Sequence, residues 1–211
     1  MGFVVFDYKT DEKLEEIGRA FLRKLGLEDV VRPDMLTMIM KIKHIDSRFN
    51  YRRVTDKQLP NAEAHWFSDD HELTMRESIF VGIQRDESRS RFTVAHEISH
   101  YALGHKGFLN RSTNKMHKEF SSKLVKHQES EANRLAPILL SPEHLIPEGA
   151  TEDDLQNIFG LSIAASVIRK EEVDRIRRRR RGELRPIPES VREMLLQARR
   201  EGMNIRTNLD D

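Results

Sequence analysis

The sequence predicts an α+β fold: a small antiparallel or mixed sheet packed on one helix that carries H-E-x-x-H and on a second helix that offers carboxylates. Three observations carry this expectation. Apolar residues recur at helical spacing near the N-terminus, with Leu14, Ile17, Phe21, Leu22 and Leu25 on one stripe. Between Ala62 and Gln84 the pattern shortens to strand-like runs. From Arg91 onward helical spacing returns and persists through most of the chain.

Composition bounds the rest. The chain has 211 residues, enough to bury a sizeable core, with 34% charged and 37% hydrophobic residues. Its formal net charge of +1 conceals an uneven distribution, since arginines crowd the C-terminal quarter. It contains no cysteine, so disulfides, thiolate ligands and cysteine nucleophiles are excluded, and any metal must be held by histidine, carboxylate or water. No apolar run approaches the roughly 20 residues of a membrane helix. The start, MGFVVFDYKTDEK, lacks a basic n-region, and a cytoplasmic protein is expected.

Taken in order, Thr10 is placed to cap a first helix that has Asp11 and Glu12 in its first turn and stops at Gly26. Pro33 marks the start of a second helix through Leu36, Ile39 and Met40. Residues 44–60 read as a loop with a short strand. AEAHWF (62–67) and HELTM (71–75) around Ser68, Asp69 and Asp70 read as a hairpin, and ESIFVGIQ (77–84) as a third, strongly apolar strand. Asp86 or Ser88 would cap the next helix.

That helix, RFTVAHEISHYALGH (91–105), holds His96, Glu97 and His100. Residues i and i+4 share a helix face, so both imidazoles can close on one metal ion while Glu97 reaches a water beside it. From Phe92 to Gly104, Glu97 is the only formally charged residue, and such groups in an apolar helix are costly unless something binds them. A third histidine in the H-E-x-x-H-x-x-G-x-x-H register is excluded, because those positions are Leu103 and Lys106.

The remaining ligand must come from elsewhere. After a loop expected over 106–120, a long helix is predicted from about Glu119 to Leu140, and it offers Glu129 and Glu131. Spacing favours Glu129, since Asn133 one turn on could orient a ligating histidine through its other nitrogen, while Glu131 should face solvent. Tyr101, His105, His117 and His127 are candidates for stabilising an oxyanion.

RFTVAHEISHYALGH followed by ESEANRLAPILLSP resembles the ImmA/IrrE family of metallo-endopeptidases, which carry R-F-T-x-A-H-E-x-x-H and then E-x-x-A-N-x-F-A-x-x-L-L-x-P. The resemblance spans roughly Ile79 to Arg169 and departs at Leu135 and Pro137, neither of them a ligand. It implies a zincin-like fold, His96, His100 and Glu129 as metal ligands, and Glu97 as general base. It also implies Zn²⁺ as cofactor, with Mn²⁺ or Fe²⁺ compatible with the same ligands, and a protein substrate such as a helix-turn-helix transcriptional repressor.

Beyond the site, Thr151 and Asp154 suit a capping box, Gly160 a helix stop and Ser162 the next cap. This helix–turn–helix, followed by Arg177, Arg178, Arg179, Arg180 and Arg181, is compatible with DNA binding. The second helix offers mainly small and apolar residues where base-reading groups would be needed, so that reading is not favoured. The expected organisation is a peptidase domain over 1–150, a helical extension over 151–182 packed on it, and a partly disordered tail over 183–211.

Overall fold

A computed structural model describes residues 8–106, 115–183 and 187–203, with the backbone alone described for 115–121. The fold is α+β. α1 (Asp11–Lys24) begins at Thr10, whose hydroxyl oxygen accepts the Lys13 amide at 3.2 Å. Its stripe of Leu14, Phe21 and Leu22 enters the core. α2 (Met35–Ile45) is capped by Asp34 rather than started by Pro33, and buries Met35, Met38, Ile39 and Ile42.

β1 (Asn50–Val54), β2 (Ala64–Phe67) and β3 (Glu72–Arg76) form a mixed sheet in the order β1-β3-β2. β2 and β3 are the expected hairpin, antiparallel with Trp66 opposite Leu73, and β1 runs parallel to β3. Arg52 and Arg53 lie on β1, and charged side chains on an outer strand discourage pairing with another chain.

The segment 77–84 corrects the sequence expectation: it is a helix, α3 (Glu77–Gln84), and not a strand. A short apolar run fits either structure by pattern alone. Here Ile79, Phe80 and Ile83 meet the core at helical spacing, and Gly82 allows a close approach. A Cβ on Gly82 would lie 2.0 Å from Ser90 Oγ and 2.7 Å from Ser90 Cβ.

α4 (Ser88–Ala102) follows directly. Its cap position is Glu87, without a side-chain cap hydrogen bond, so neither Asp86 nor Ser88 fills that role. α5 (Lys115–Leu140) begins inside the stretch expected as a loop, of which 107–114 lie outside the described residues. It continues past Pro137 to Leu140 and crosses α1 at Gly18, where a Cβ would lie 2.7 Å from Ile138 Cγ2.

α6 (Glu152–Phe159) has the expected Thr151–Asp154 capping box and ends at Gly160 in the left-handed region, φ 67°. α7 (Ile163–Arg181) has the Ala165 amide on Ser162 Oγ at 3.3 Å. Leu155, Phe159, Leu161 and Val173 share the core with α1 to α5.

Two buried arginines join distant elements. Arg91 of α4 donates through Nη1 to the Phe159 carbonyl at 2.8 Å. Arg169 of α7 donates to the Ser141 carbonyl from Nε at 3.0 Å and from Nη2 at 2.8 Å, and pairs with Glu15. Glu15 in turn accepts the Glu143 amide at 3.1 Å.

The chain forms two compact units, Met1–Val173 and Asp174–Asp211, and the division falls within α7. The second unit contains α8 (Glu189–Arg200), an amphipathic helix with no buried residue. Residues 204–211, part of the tail expected to be disordered, lie outside the described residues. Among the described residues, no helix is long and apolar enough to cross a membrane.

Candidate metal centre

His96 and His100 project from one face of α4, and Glu129 reaches them from α5. The Nε2 atoms of the two histidines are 3.2 Å apart. Glu129 Oε2 lies 3.2 Å from His96 Nε2, and its Oε1 lies 3.4 Å from His100 Nε2. One ligand atom from each residue falls within 4.8 Å of the others, so the three can hold a metal ion. The donor chemistry fits a divalent ion of the zinc type: two imidazole nitrogens and one carboxylate, with no thiolate available.

Electrostatics favours the form that binds metal. Burial, reinforced by the neighbouring His96, His105 and His65, pushes His100 down to about 3, so its imidazole is neutral with a lone pair to donate. Glu97 points toward the sheet, and its Oε2 accepts the Trp66 amide of β2 at 2.7 Å. Its Oε1 sits 4.0 Å from His96 Nε2. Burial pushes Glu97 up to about 8, against the opposing hydrogen bond from Trp66. A bound dication would act in the opposite direction.

These groups line a cleft of about 590 Å³ whose walls include Ala64, His65, Phe67 and Val125. His65, on β2, was not singled out from sequence. Burial holds its imidazole below the ordinary histidine range, with Glu129 pulling the other way. A lone histidine in a short strand carries no local signal of this placement.

Glu131 corrects the expectation of a solvated charge. It is 3% exposed, and two residues beyond Glu129 the helix has turned it inward rather than outward. Its Oε2 lies 3.0 Å from His105 Nε2, and its Oε1 lies 2.7 Å from Lys9 Nζ and 3.4 Å from His127 Nε2. His105 Nδ1 is 3.0 Å from His100 Nδ1. Burial works against ionisation of Glu131, but the hydrogen bonds from Lys9 and His105 outweigh it and hold the carboxyl below its usual range.

Two further expectations are corrected. Asn133 is exposed and makes no hydrogen bond to His96 or His100; the nitrogen of His100 left over from the cluster faces His105 instead. Tyr101 lies one helical step, about 100°, beyond His100 and faces away from the cleft. Its hydroxyl donates to Asp46 Oδ2 at 3.2 Å, and its ring meets Phe49 and Trp66, each at 5.1 Å. For His117 only the backbone is described. The arginine run ends α7, with Arg179, Arg180 and Arg181 exposed and Arg181 Nε 2.5 Å from Glu183 Oε1. Ile163, Val167 and Ile168 are the exposed large side chains at the start of α7, apolar where a DNA-reading helix would need polar ones.

A helix bearing H-E-x-x-H, a carboxylate from the following helix and a strand bonded to the glutamate together define a metallopeptidase-type site. The chain belongs to the IrrE N-terminal-like domain family, peptidase family M78, whose profile matches residues 48–165, more than half of the 211 residues. The match encloses the sheet, α4 and Glu129. Comparison with curated proteins finds no match.

Proposed function

We propose that this protein is a zinc-dependent endopeptidase acting on a partner protein, with His96, His100 and Glu129 as metal ligands and Glu97 as general base. The observation that carries the reading is Glu97 itself. It stands beside the three-residue cluster with one oxygen fixed by the Trp66 amide and the other turned toward His96. A site needing metal only for stability has no use for a carboxylate there.

When bound, zinc supplies Lewis acidity toward a carbonyl and lowers the pKa of water to ~7. Glu97 Oε1 takes the proton released by the attacking water and passes it to the leaving amine, while Oε2 remains anchored on Trp66. Among the described residues β2 pairs with β3 alone. Because Trp66 sends its amide to Glu97 and backbone directions alternate along a strand, Ala64 turns its backbone groups to the same side. An extended substrate laid along β2 is thereby held by main-chain hydrogen bonds beside the metal cluster. His65, on the same strand, lines the wall of the cleft and is the side chain we assign to steady an oxyanion there.

The resemblance to the ImmA/IrrE family supports a helix-turn-helix repressor as the substrate class. The test is co-expression with a repressor encoded nearby, followed by intact-mass analysis, for wild type and Glu97→Gln. Defined fragments with wild type alone are expected. An intact repressor with both proteins, zinc being present, would move the weight to a regulatory protein that binds the repressor or DNA through 151–181 without cutting.

A further inference from the structure

The geometry points to His105 and Glu131 as positioning residues that set the tautomer and orientation of His100 for metal binding. The inference rests on the proposed use of His100 as a ligand and extends it to residues that do not touch the ion.

His100 presents Nε2 to His96 and Glu129, so a metal there requires the Nε2 lone pair. The single proton of the neutral ring must then sit on Nδ1. Nδ1 lies 3.0 Å from His105 Nδ1, and two ring nitrogens at that distance share one proton between them. If His105 were the donor, His100 would be forced to carry its proton on Nε2, which would block the metal.

Glu131 decides the direction. Its carboxylate accepts but cannot donate, and it lies 3.0 Å from His105 Nε2. The His105 proton is therefore drawn to Nε2, leaving Nδ1 as an acceptor for the Nδ1 proton of His100. Lys9, 2.7 Å from the other Glu131 oxygen, balances the carboxylate charge, so His105 has no need of a second proton. Lys9, Glu131, His105 and His100 thus form one directed chain ending at the metal position. His105 and Glu131 are 8% and 3% exposed, and this shields the chain from competing water. The arrangement supplies what a ligating histidine generally needs, an acceptor on its other nitrogen.

The test measures Zn²⁺ affinity of the full chain by competition with a chromophoric chelator, in wild type, His105→Ala, His105→Asn and Glu131→Gln. His105→Ala should bind zinc about 10- to 100-fold more weakly. His105→Asn should lie between it and wild type, since an amide oxygen can accept from His100 Nδ1 but is too short to reach Glu131. Glu131→Gln should also weaken binding, with the Co²⁺-substituted protein showing altered d–d absorption bands.

Glu131→Gln keeps the size of the residue it replaces and carries the test if the His105 variants fail to fold. Wild-type zinc affinity and unaltered Co²⁺ bands in the variants, with only a lowered melting temperature of the metal-free protein, would reduce these residues to packing and overturn the inference. Failure of the underlying site looks different. A wild type that binds no zinc, or a His96→Ala variant that binds it equally well, would remove the metal centre and the inference with it.

Discussion

The backbone amide of Trp66 and the carboxylate of Glu97 are bonded at 2.7 Å, linking the outer strand β2 to the helix that carries both histidines. One bond thus sets two things together: which Glu97 oxygen is turned toward His96, and how far β2 stands from the cluster of His96, His100 and Glu129.

From this, Glu97→Gln should keep the metal and lose the chemistry. The amide retains an oxygen for the Trp66 N–H but cannot accept a proton. Peptidase kcat should fall by about 10²- to 10⁴-fold, the usual contribution of a general base. Zinc stoichiometry, measured by elemental analysis, should stay at the wild-type value; a variant that loses its zinc would mean that Glu97 is a ligand instead.

Chelation should abolish cleavage and lower the melting temperature together. Bound metal at 100 times its Kd adds about 2.7 kcal/mol of stability, which vanishes when the ion is removed. Differential scanning calorimetry with and without a chelator checks this, and added Zn²⁺ should restore both properties. An activity indifferent to chelators would contradict the metal-dependent reading.

Above pH ~6.5, where the depressed histidines His65, His100 and His105 are neutral in folded and unfolded chain alike, the metal-free protein should lose stability as pH rises. Burial raises Glu97 from an ordinary 4.5 to about 8, so the folded state holds a proton that the unfolded chain has already released. The contribution is complete below pH ~4.5, declines through the interval, and is gone above about 8. At about 1.4 kcal/mol per pKa unit it amounts to a few kcal/mol. Denaturant titrations between pH ~6.5 and 8 should show the decline in wild type and a flatter profile in Glu97→Gln.

Arg169→Leu should destabilise by roughly 3–5 kcal/mol, because it leaves the buried Glu15 carboxylate without its charged partner. Adding Glu15→Gln to it should recover part of the loss. A single variant with an unchanged denaturation midpoint would show that the ion pair is not needed.

Local signals made much of the molecule legible. The i, i+4 spacing of His96 and His100, the Thr151–Asp154 cap, Gly160 and the 64–76 hairpin each depend on residues close in sequence, and each is found as expected. Residues 77–84 differ from the expected strand because a short apolar run fits either structure by pattern alone, and the packing of Ile79, Phe80 and Ile83 at helical spacing on the core is not a local signal. Glu131 was misread for a related reason. One partner, His127, lies a turn earlier on α5, but Lys9, far upstream, and His105, just beyond the end of α4, are not visible from the periodicity of α5. Asn133 and Tyr101 had suitable spacing and chemistry, but helix rotation sends one to solvent and the other to Asp46.

The two buried arginines bear on how short a piece of this chain can fold. Ending it at residue 150 would remove the Phe159 carbonyl that receives Arg91, and ending it at 165, where the family match stops, would still delete Arg169. In either truncation a buried charge loses a partner: in the shorter piece Arg91 keeps Asp86 but not the Phe159 carbonyl, and in both pieces Glu15 keeps the Glu143 amide but not Arg169. The smallest autonomous peptidase therefore reaches past Arg169, and limited proteolysis of the intact protein should yield a resistant core whose C-terminus lies beyond it.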